Sequence, residues 1–281
     1  MTERITTIGK RKPTPDREQQ PVVQRVRIRY AKRGRLRFTS HRDFARALER
    51  AVRRAGIPIA YSAGFSPHPK ISYVGAAPTG VASEAEYAEL GLAGPMDPAA
   101  LRDALDAVLP EGLDILDAVT AGTAGFAERI EVSRWRLELS GVDPGRLADA
   151  VAKFTAADEV LVERLTKQGR RTLDARAAVL DARIVTNSEG ESPKISHSSS
   201  PVGHYGAPSE GSGGPCAILD LVVRHVIPSV RPDEVLAGLR VVADLEPPVP
   251  VRATRLAQGT LTEHGEIADP LDADREGTPQ R

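Results

Sequence analysis

Two histidines and an aspartate in the first quarter of the chain are the residues best suited to acid-base or metal chemistry. His41 and Asp43 lie at the predicted start of a helix, and His68 lies in the loop that follows the same helix. Two imidazoles and a carboxylate can bind a metal or exchange protons near neutral pH. Their spacing matches no recognised metal motif, so a first-turn residue for His41 and a helix cap for Asp43 are the alternative roles, and no metal site is assigned.

A cationic helix face is a second candidate site, for a polyanion. Ser40 is a residue type that is preferred as a helix N-cap, and Asp43 places a carboxylate in the first turn of the helix. Gly56 and Pro58 end the helix. Apolar residues recur at helical spacing on one side, namely Phe44, Ala47, Leu48, Ala51, Val52 and Ala55. Arginines lie together on the opposite side, and with two neighbouring cations the predicted polyanion-binding set is Arg42, Arg46, Arg50, Arg53, Arg54 and Lys70.

The loop from Tyr61 to Lys70 carries two aromatic residues among glycine, serine and proline. Tyr61 and Phe65 have the side chains that stack on bases in single-stranded RNA recognition, while Lys70 supplies a cation. The alternative is that both rings anchor the loop against the protein. We expect the loop to fold back over the start of the Ser40 helix and to bring His68 near His41, since its length allows that reach.

A family resemblance rests on a set of residues in this region. It comprises Lys32, Gly34, Phe38, the Ser-His-x-Asp motif from Ser40 to Asp43, Arg54, the Tyr-Ser-x-Gly-Phe-x-Pro-His-Pro motif from Tyr61 to Pro69, Gly80, Ser83 and Glu86. The chain thereby resembles the radical-SAM-linked family of uncharacterised bacterial proteins, closely in this half and more loosely to about residue 257. The resemblance implies association with a radical S-adenosylmethionine protein, as a fused domain or a neighbour, and assigns no activity.

The composition narrows the functional classes. The 281 residues have a formal net charge of zero, yet residues 1 to 70 carry 18 Lys and Arg against 5 Asp and Glu, which favours a polyanion partner. The single cysteine, Cys216, cannot supply the three ligands of a radical-SAM iron-sulfur cluster, so no cofactor is expected. The chain contains no P-loop or common hydrolase motif. Without an apolar run of membrane-spanning length or a signal-peptide core, we expect a cytoplasmic protein.

Hydrophobic periodicity predicts an α+β fold made of two ferredoxin-like units in tandem. The first, residues 22–125, has the order βαββαβ: a strand from Gln24 with Arg25, Arg27 and Arg29 on its polar side, the cationic helix, strands at 71–77 and 84–92, a helix after Pro98 and a strand at 113–119. Before the helix, Leu36 and Phe38 alternate with Arg35 and Arg37 as in a strand.

The second unit, residues 130–257, repeats this scheme by pattern alone. It begins with a strand at Trp135 and a helix at Pro144, and ends with a strand at 217–226, a helix at 232–239 and a strand at 251–256. Residues 186–215 are so rich in Ser, Gly and Pro that they are predicted to be a disordered insertion. Residues 1–20 and the acidic residues 258–281 are predicted to be disordered tails.

Three functional hypotheses follow. The first is an accessory protein, without activity alone, that binds RNA or another polyanion and presents it to a radical SAM partner. The second is an enzyme that processes or modifies RNA through His41 and His68. The third is a protein-interaction module whose arginine face binds an acidic protein surface. The sequence identifies neither the substrate nor the partner enzyme.

Overall fold

The computed structural model describes residues 20–167, 169–185 and 215–276, and these form an α+β fold with five α-helices and a large mixed sheet. The predicted N-terminal tail lies outside the described residues except for Gln20, as does the predicted insertion except for Pro215. No helix in the described part of the chain has both the length and the apolar composition needed to cross a membrane.

The first unit has the predicted order of elements. They are β1 (Gln24–Lys32), α1 (His41–Arg54), β2 (Ile71–Val74), β3 (Ala82–Leu92), α2 (Pro98–Asp106) and β4 (Ile115–Thr120). The four strands lie in the order β4-β1-β3-β2, and every pairing among them is antiparallel. The residues around Leu36 and Phe38 differ from the prediction, because Gly34–Phe38 form a short 3-10 helix and no strand.

The second unit contains the same scheme with one added hairpin. Its elements are β5 (Val132–Ser140), α3 (Pro144–Ala156), β6 (Leu161–Thr166), β7 (Gly169–Asp174), β8 (Val179–Val185), β9 (Cys216–Arg224), α4 (Pro232–Ala243) and β10 (Arg252–Leu261). Within the described part of the chain, strands β6 and β7 pair only with each other, whereas the remaining four lie in the order β10-β5-β9-β8.

A short parallel pairing joins the two sets of strands into one sheet. Strand β2 is only four residues long and pairs with the 87–90 part of β3, which leaves the beginning of β3 open. There β10 pairs with β3 in parallel, with Thr254 opposite Ala82 and Arg255 opposite Ser83. The sequence pattern did not predict this junction.

The structure of α1 follows from its sequence. The side chain of Ser40 accepts a hydrogen bond from the backbone N–H of Asp43, as an N-cap does, and Gly56 follows the helix with a positive φ of 67°. Four apolar side chains are buried in the first core with residues of β1, β3 and α2, namely Phe44, Leu48, Ala51 and Val52. A separate core lies between α3, α4 and the second set of strands. The predicted cap and apolar face are confirmed.

The structure corrects the predicted C-terminal tail for residues 258–276. Strand β10 continues to Leu261, and β11 (Ile267–Ala268) and α5 (Asp272–Glu276) follow. This segment packs on the first unit, where Leu271 is buried with Tyr87 and Phe126 on the sheet face opposite the first core. Its carboxylates Asp269 and Asp274 also pair with Arg29 and Arg27 of the first unit. Residues 277–281 lie outside the described part.

Candidate polyanion-binding surface

The α1 arginine surface consists of Arg42, Arg46, Arg50, Arg53 and Arg54. All five side chains are exposed, while the opposite side of the helix is anchored in the core. Arg46 lies 3.9 Å from the carboxylate of Asp43, and both side chains of that pair are more than half exposed. Within the described residues, the other four arginines have no carboxylate at ion-pairing distance. A rigid helix therefore presents cationic groups to solvent.

The arginines of β1 are placed very differently. Arg27 is buried and pairs with Glu89 at 3.0 Å and with Asp274 at 2.6 Å, while Arg29 pairs with Asp269 at 2.9 Å. The polar side of β1 is thus neutralised and, from Val26 onward, largely covered, whereas Arg25 at the start of the strand stays exposed and pairs with Glu89 at 2.9 Å. Among residues 20–70, the basic side chains available to a ligand therefore lie mainly on α1, with Arg35 and Arg37 just before it.

The loop from Tyr61 to Lys70 closes on itself as a small hairpin. The N–H of Ser62 donates to the carbonyl oxygen of His68 at 2.9 Å, and the N–H of Lys70 donates to that of Ala60 at 2.8 Å. Phe65 at its tip is 63% exposed, which is compatible with the predicted stacking role. Tyr61 instead packs partly against the first core, as its alternative anchoring role requires. Lys70 is half-buried, and its ammonium group donates to the carbonyl of Gln20 at 3.4 Å.

His41 and Asp43 lie together at the start of α1. The ring of His41 contacts the ring of Tyr73 edge-on, with 4.9 Å between centroids, and the Asp43 carboxylate accepts a hydrogen bond of 2.7 Å from the Ser40 hydroxyl. His68 lies in the loop from Tyr61 to Lys70, where its backbone N–H donates to the Ser62 hydroxyl at 3.0 Å. No hydrogen bond, ion pair or ring contact joins His68 to His41 or Asp43, so their predicted convergence stays a prediction. The described residues contain no group of three His, Cys, Asp or Glu side chains placed to hold a metal.

A buried polar cluster at the β3–β10 junction was not predicted as a unit. Arg255 pairs with Glu86 and donates to the carbonyl of Gly75 at 2.6 Å, while Gln258 donates to the carbonyl of Ala85 at 2.5 Å. Both charged side chains are almost inaccessible to solvent. Because unpaired charges are costly to bury, this pairing fixes the junction and its overlying segment, residues 75–81.

Lys32 and Glu86 hold the same 75–81 segment from the other side. The Lys32 ammonium group donates to the carbonyl of Pro78 at 3.1 Å, and the second Glu86 oxygen accepts from the N–H of Ala77 at 2.9 Å. Burial lowers the pKa of Lys32, against the opposing effect of the Glu86 charge. Lys32, Ser83 and Glu86 belonged to the sequence motifs of the first unit, but nothing local in the sequence points to Arg255 or Gln258 as their partners.

Comparison with known proteins assigns the chain to a family. No curated protein matches the chain. The profile of a bacterial protein family matches residues 25–232, from β1 to the first residue of α4, which includes the α1 arginine surface and the loop from Tyr61 to Lys70. This match covers more than half of the sequence, and the chain therefore belongs to the family described as uncharacterized proteins conserved in bacteria, DUF2344.

Proposed function

We propose that this protein is a cytoplasmic, radical SAM-associated accessory protein that binds RNA through the α1 arginine surface and presents it to a partner enzyme. The observation that carries the proposal is the group of five exposed arginines on α1, of which all but Arg46 lack a carboxylate partner among the described residues. Arginine binds phosphate oxygens through a planar fork of N–H donors, and phosphate contacts supply most of the non-specific affinity for nucleic acids.

The fold supports this proposal by holding the arginines in place. We regard each set of four antiparallel strands with its two helices as a ferredoxin-like unit, an architecture that can present a rigid binding surface. Because α1 is capped by Ser40 and anchored by Phe44 and Leu48, binding does not require the helix to order first. The exposed Phe65 adds a ring that can stack on a base.

The partner enzyme is proposed from the sequence motifs that resemble the radical-SAM-linked family. Cys216 is the single cysteine of the chain, and an iron-sulfur cluster of the radical-SAM type needs three cysteine ligands. In this proposal the partner supplies the radical chemistry, while the α1 arginine surface supplies the substrate. Catalysis by His41 and His68 has no contact in its favour, and an acidic protein in place of RNA is the competing occupant of the same surface.

The proposal is tested by reversing the charge of four arginines, in a variant carrying Arg42→Glu, Arg46→Glu, Arg50→Glu and Arg53→Glu. We expect binding of a labelled single-stranded RNA of about 20 nucleotides, measured by fluorescence anisotropy, to be abolished. The free energy of unfolding should change by only about 1 kcal/mol, because exposed charges contribute little to folding. Single substitutions should each flatten the plot of log K against log salt by roughly 0.7 for every phosphate group that the variant no longer binds.

A control variant makes the same change in net charge elsewhere. It reverses four exposed arginines of the second unit, namely Arg170, Arg171, Arg183 and Arg224. RNA affinity should fall much less in the control than in the α1 variant. Equal losses would contradict the α1 surface as the site. The acidic-protein alternative would be indicated by a partner protein that stays bound to the immobilised chain after nuclease treatment and that added RNA displaces.

A further inference from the structure

Phe38 is a large apolar side chain that the fold leaves in solvent. Its ring is 59% exposed, whereas Phe44, Phe126 and Phe154 are all buried. Burying a phenylalanine is worth roughly 1.5 to 3 kcal/mol, so an exposed ring gives up stability that the core would gain. Phe38 does not belong to the first core, although Leu36 of the same 3-10 helix packs against that core.

The backbone around Phe38 is nevertheless fixed from both sides. The N–H of Thr39 donates to the carbonyl of Leu36 at 2.9 Å, and the N–H of Gly80 donates to the carbonyl of Arg37 at 2.8 Å. The latter bond connects the 3-10 helix to segment 75–81, which the buried Lys32 and Glu86 hold in place. Gly80 also lies beside the ring, because a Cβ built on it would be 4.0 Å from Cε1 of Phe38.

One arginine contacts this exposed ring, and two others lie close to it along the chain. The Arg37 guanidinium carbon lies 4.7 Å from the centroid of the Phe38 ring, and Arg35 is exposed one turn earlier. Neither arginine has a carboxylate at ion-pairing distance among the described residues. Arg42, in the first turn of α1, is four residues further along the chain. An aromatic ring beside unneutralised arginines is the combination that binds single-stranded nucleic acids, since rings stack on bases and guanidinium groups hold phosphates.

We propose that Phe38 is a base-stacking residue that extends the α1 arginine surface, so that the ligand is single-stranded RNA bound through its bases as well as its phosphates. This inference rests on the proposed function and adds the substrate class. Duplex RNA does not fit the proposal, because its bases are stacked on each other and are not free to stack on a side chain. The fixed backbone favours stacking, because the main chain that carries the ring does not have to become ordered on binding.

The experiment compares a single-stranded uridine decamer with an abasic decamer of the same backbone and charge. Phe38→Ala should weaken binding of the uridine decamer roughly 5- to 150-fold, which is the range for removing one base stacked on an aromatic ring. It should leave binding of the abasic decamer unchanged. Phe38→Tyr should retain the affinity of the wild type. Leu165→Ala in β6, which removes an apolar side chain that is 81% exposed, serves as the matched control and should affect neither ligand.

Fluorescence gives a second measurement that does not depend on the stability of the alanine variant. Trp135 is the single tryptophan and is buried, so Phe38→Trp adds one exposed reporter. The uridine decamer should quench its emission, while the abasic decamer should not. Absence of quenching, or equal weakening of both decamers by Phe38→Ala, would overturn the stacking role while leaving phosphate binding by α1 intact. If the wild type bound neither decamer, the proposed function itself would fall.

Discussion

Asp274 is the most deeply buried of the carboxylates through which the C-terminal segment contacts the first unit. Its carboxylate is fully buried and pairs with Arg27 at 2.6 Å and Arg129 at 3.1 Å. It also accepts hydrogen bonds of 3.0 Å from the N–H groups of Gly122 and Thr123. Substitution to alanine would leave two arginines near one another and two backbone donors without their acceptor.

The expected cost of Asp274→Ala is about 3 to 5 kcal/mol, the range for removing one partner of a buried ion pair. The lower half of this range of free energies applies if Arg27 keeps its ion pair with Glu89, at 3.0 Å, in the variant. Such a loss is a large part of the roughly 5 to 15 kcal/mol by which a typical domain is stable. Asp272→Ala is the matched control in the same helix, because the Asp272 side chain is partly exposed and its pair with Arg275 should contribute at most about 1 kcal/mol.

Urea unfolding followed by circular dichroism measures both variants. A change of less than about 1 kcal/mol for Asp274→Ala would refute the idea that this carboxylate holds the segment in place. The pH dependence is an independent check. Burial would raise the pKa of Asp274, but hydrogen bonds from Thr123, Arg27 and Gly122 prevail and lower it. The stabilisation is therefore complete above about pH 4 and is lost as the pH falls through the lower pKa of the folded state, a dependence that Asp274→Ala should remove.

Three further predictions address other parts of the chain. Burial lowers the pKa of His225, whose Nε2 lies 2.6 Å from the Ser133 hydroxyl, so the free energy of unfolding should decrease as the pH falls below about 6.5. The variant His225→Gln should flatten that dependence, as measured by urea titrations at pH 7 and 5. Gly238→Ala should destabilise the protein by about 1 to 3 kcal/mol in thermal or urea unfolding, despite better helix propensity, because its Cβ would lie 2.6 Å from Cε2 of Phe154. The chain purified without oxygen should contain no stoichiometric iron and sulfide and should not cleave S-adenosylmethionine alone, and elemental analysis with an assay for 5′-deoxyadenosine would detect the contrary.

Features determined by neighbouring residues were predictable from the sequence. The cap at Ser40 and the apolar face of α1 depend on contacts within one or a few helical turns, and both are present. Pro98 and Pro144 likewise stand at the first position of α2 and α3, each preceded by an aspartate cap. The 3-10 helix around Phe38 was missed because apolar and charged side chains alternate in these five residues, a pattern that matches a short strand equally well.

Features determined by distant residues were not predictable in this way. Arg27 and Asp274 are 247 positions apart, and Glu86 and Arg255 are 169 apart. An acidic stretch near the end of a chain is typical of a solvated tail, and only the fold shows that the carboxylates of Asp269 and Asp274 meet arginines of β1. The parallel pairing of β3 with β10 depends on the same distant contacts.

This difference decides which arginines belong to the candidate site. In the sequence, the arginines of β1 and those of α1 look alike, since both recur on the polar side of an amphipathic element. The fold distinguishes them, because Arg27 and Arg29 are neutralised by the C-terminal segment, while Arg42 and Arg50 remain exposed on a helix with no carboxylate at ion-pairing distance among the described residues. Charge that is already paired inside the protein cannot release counterions from a nucleic acid. A binding site inferred from basic composition alone would therefore have been spread over both elements, whereas the structure restricts the proposal to α1 and the residues beside it.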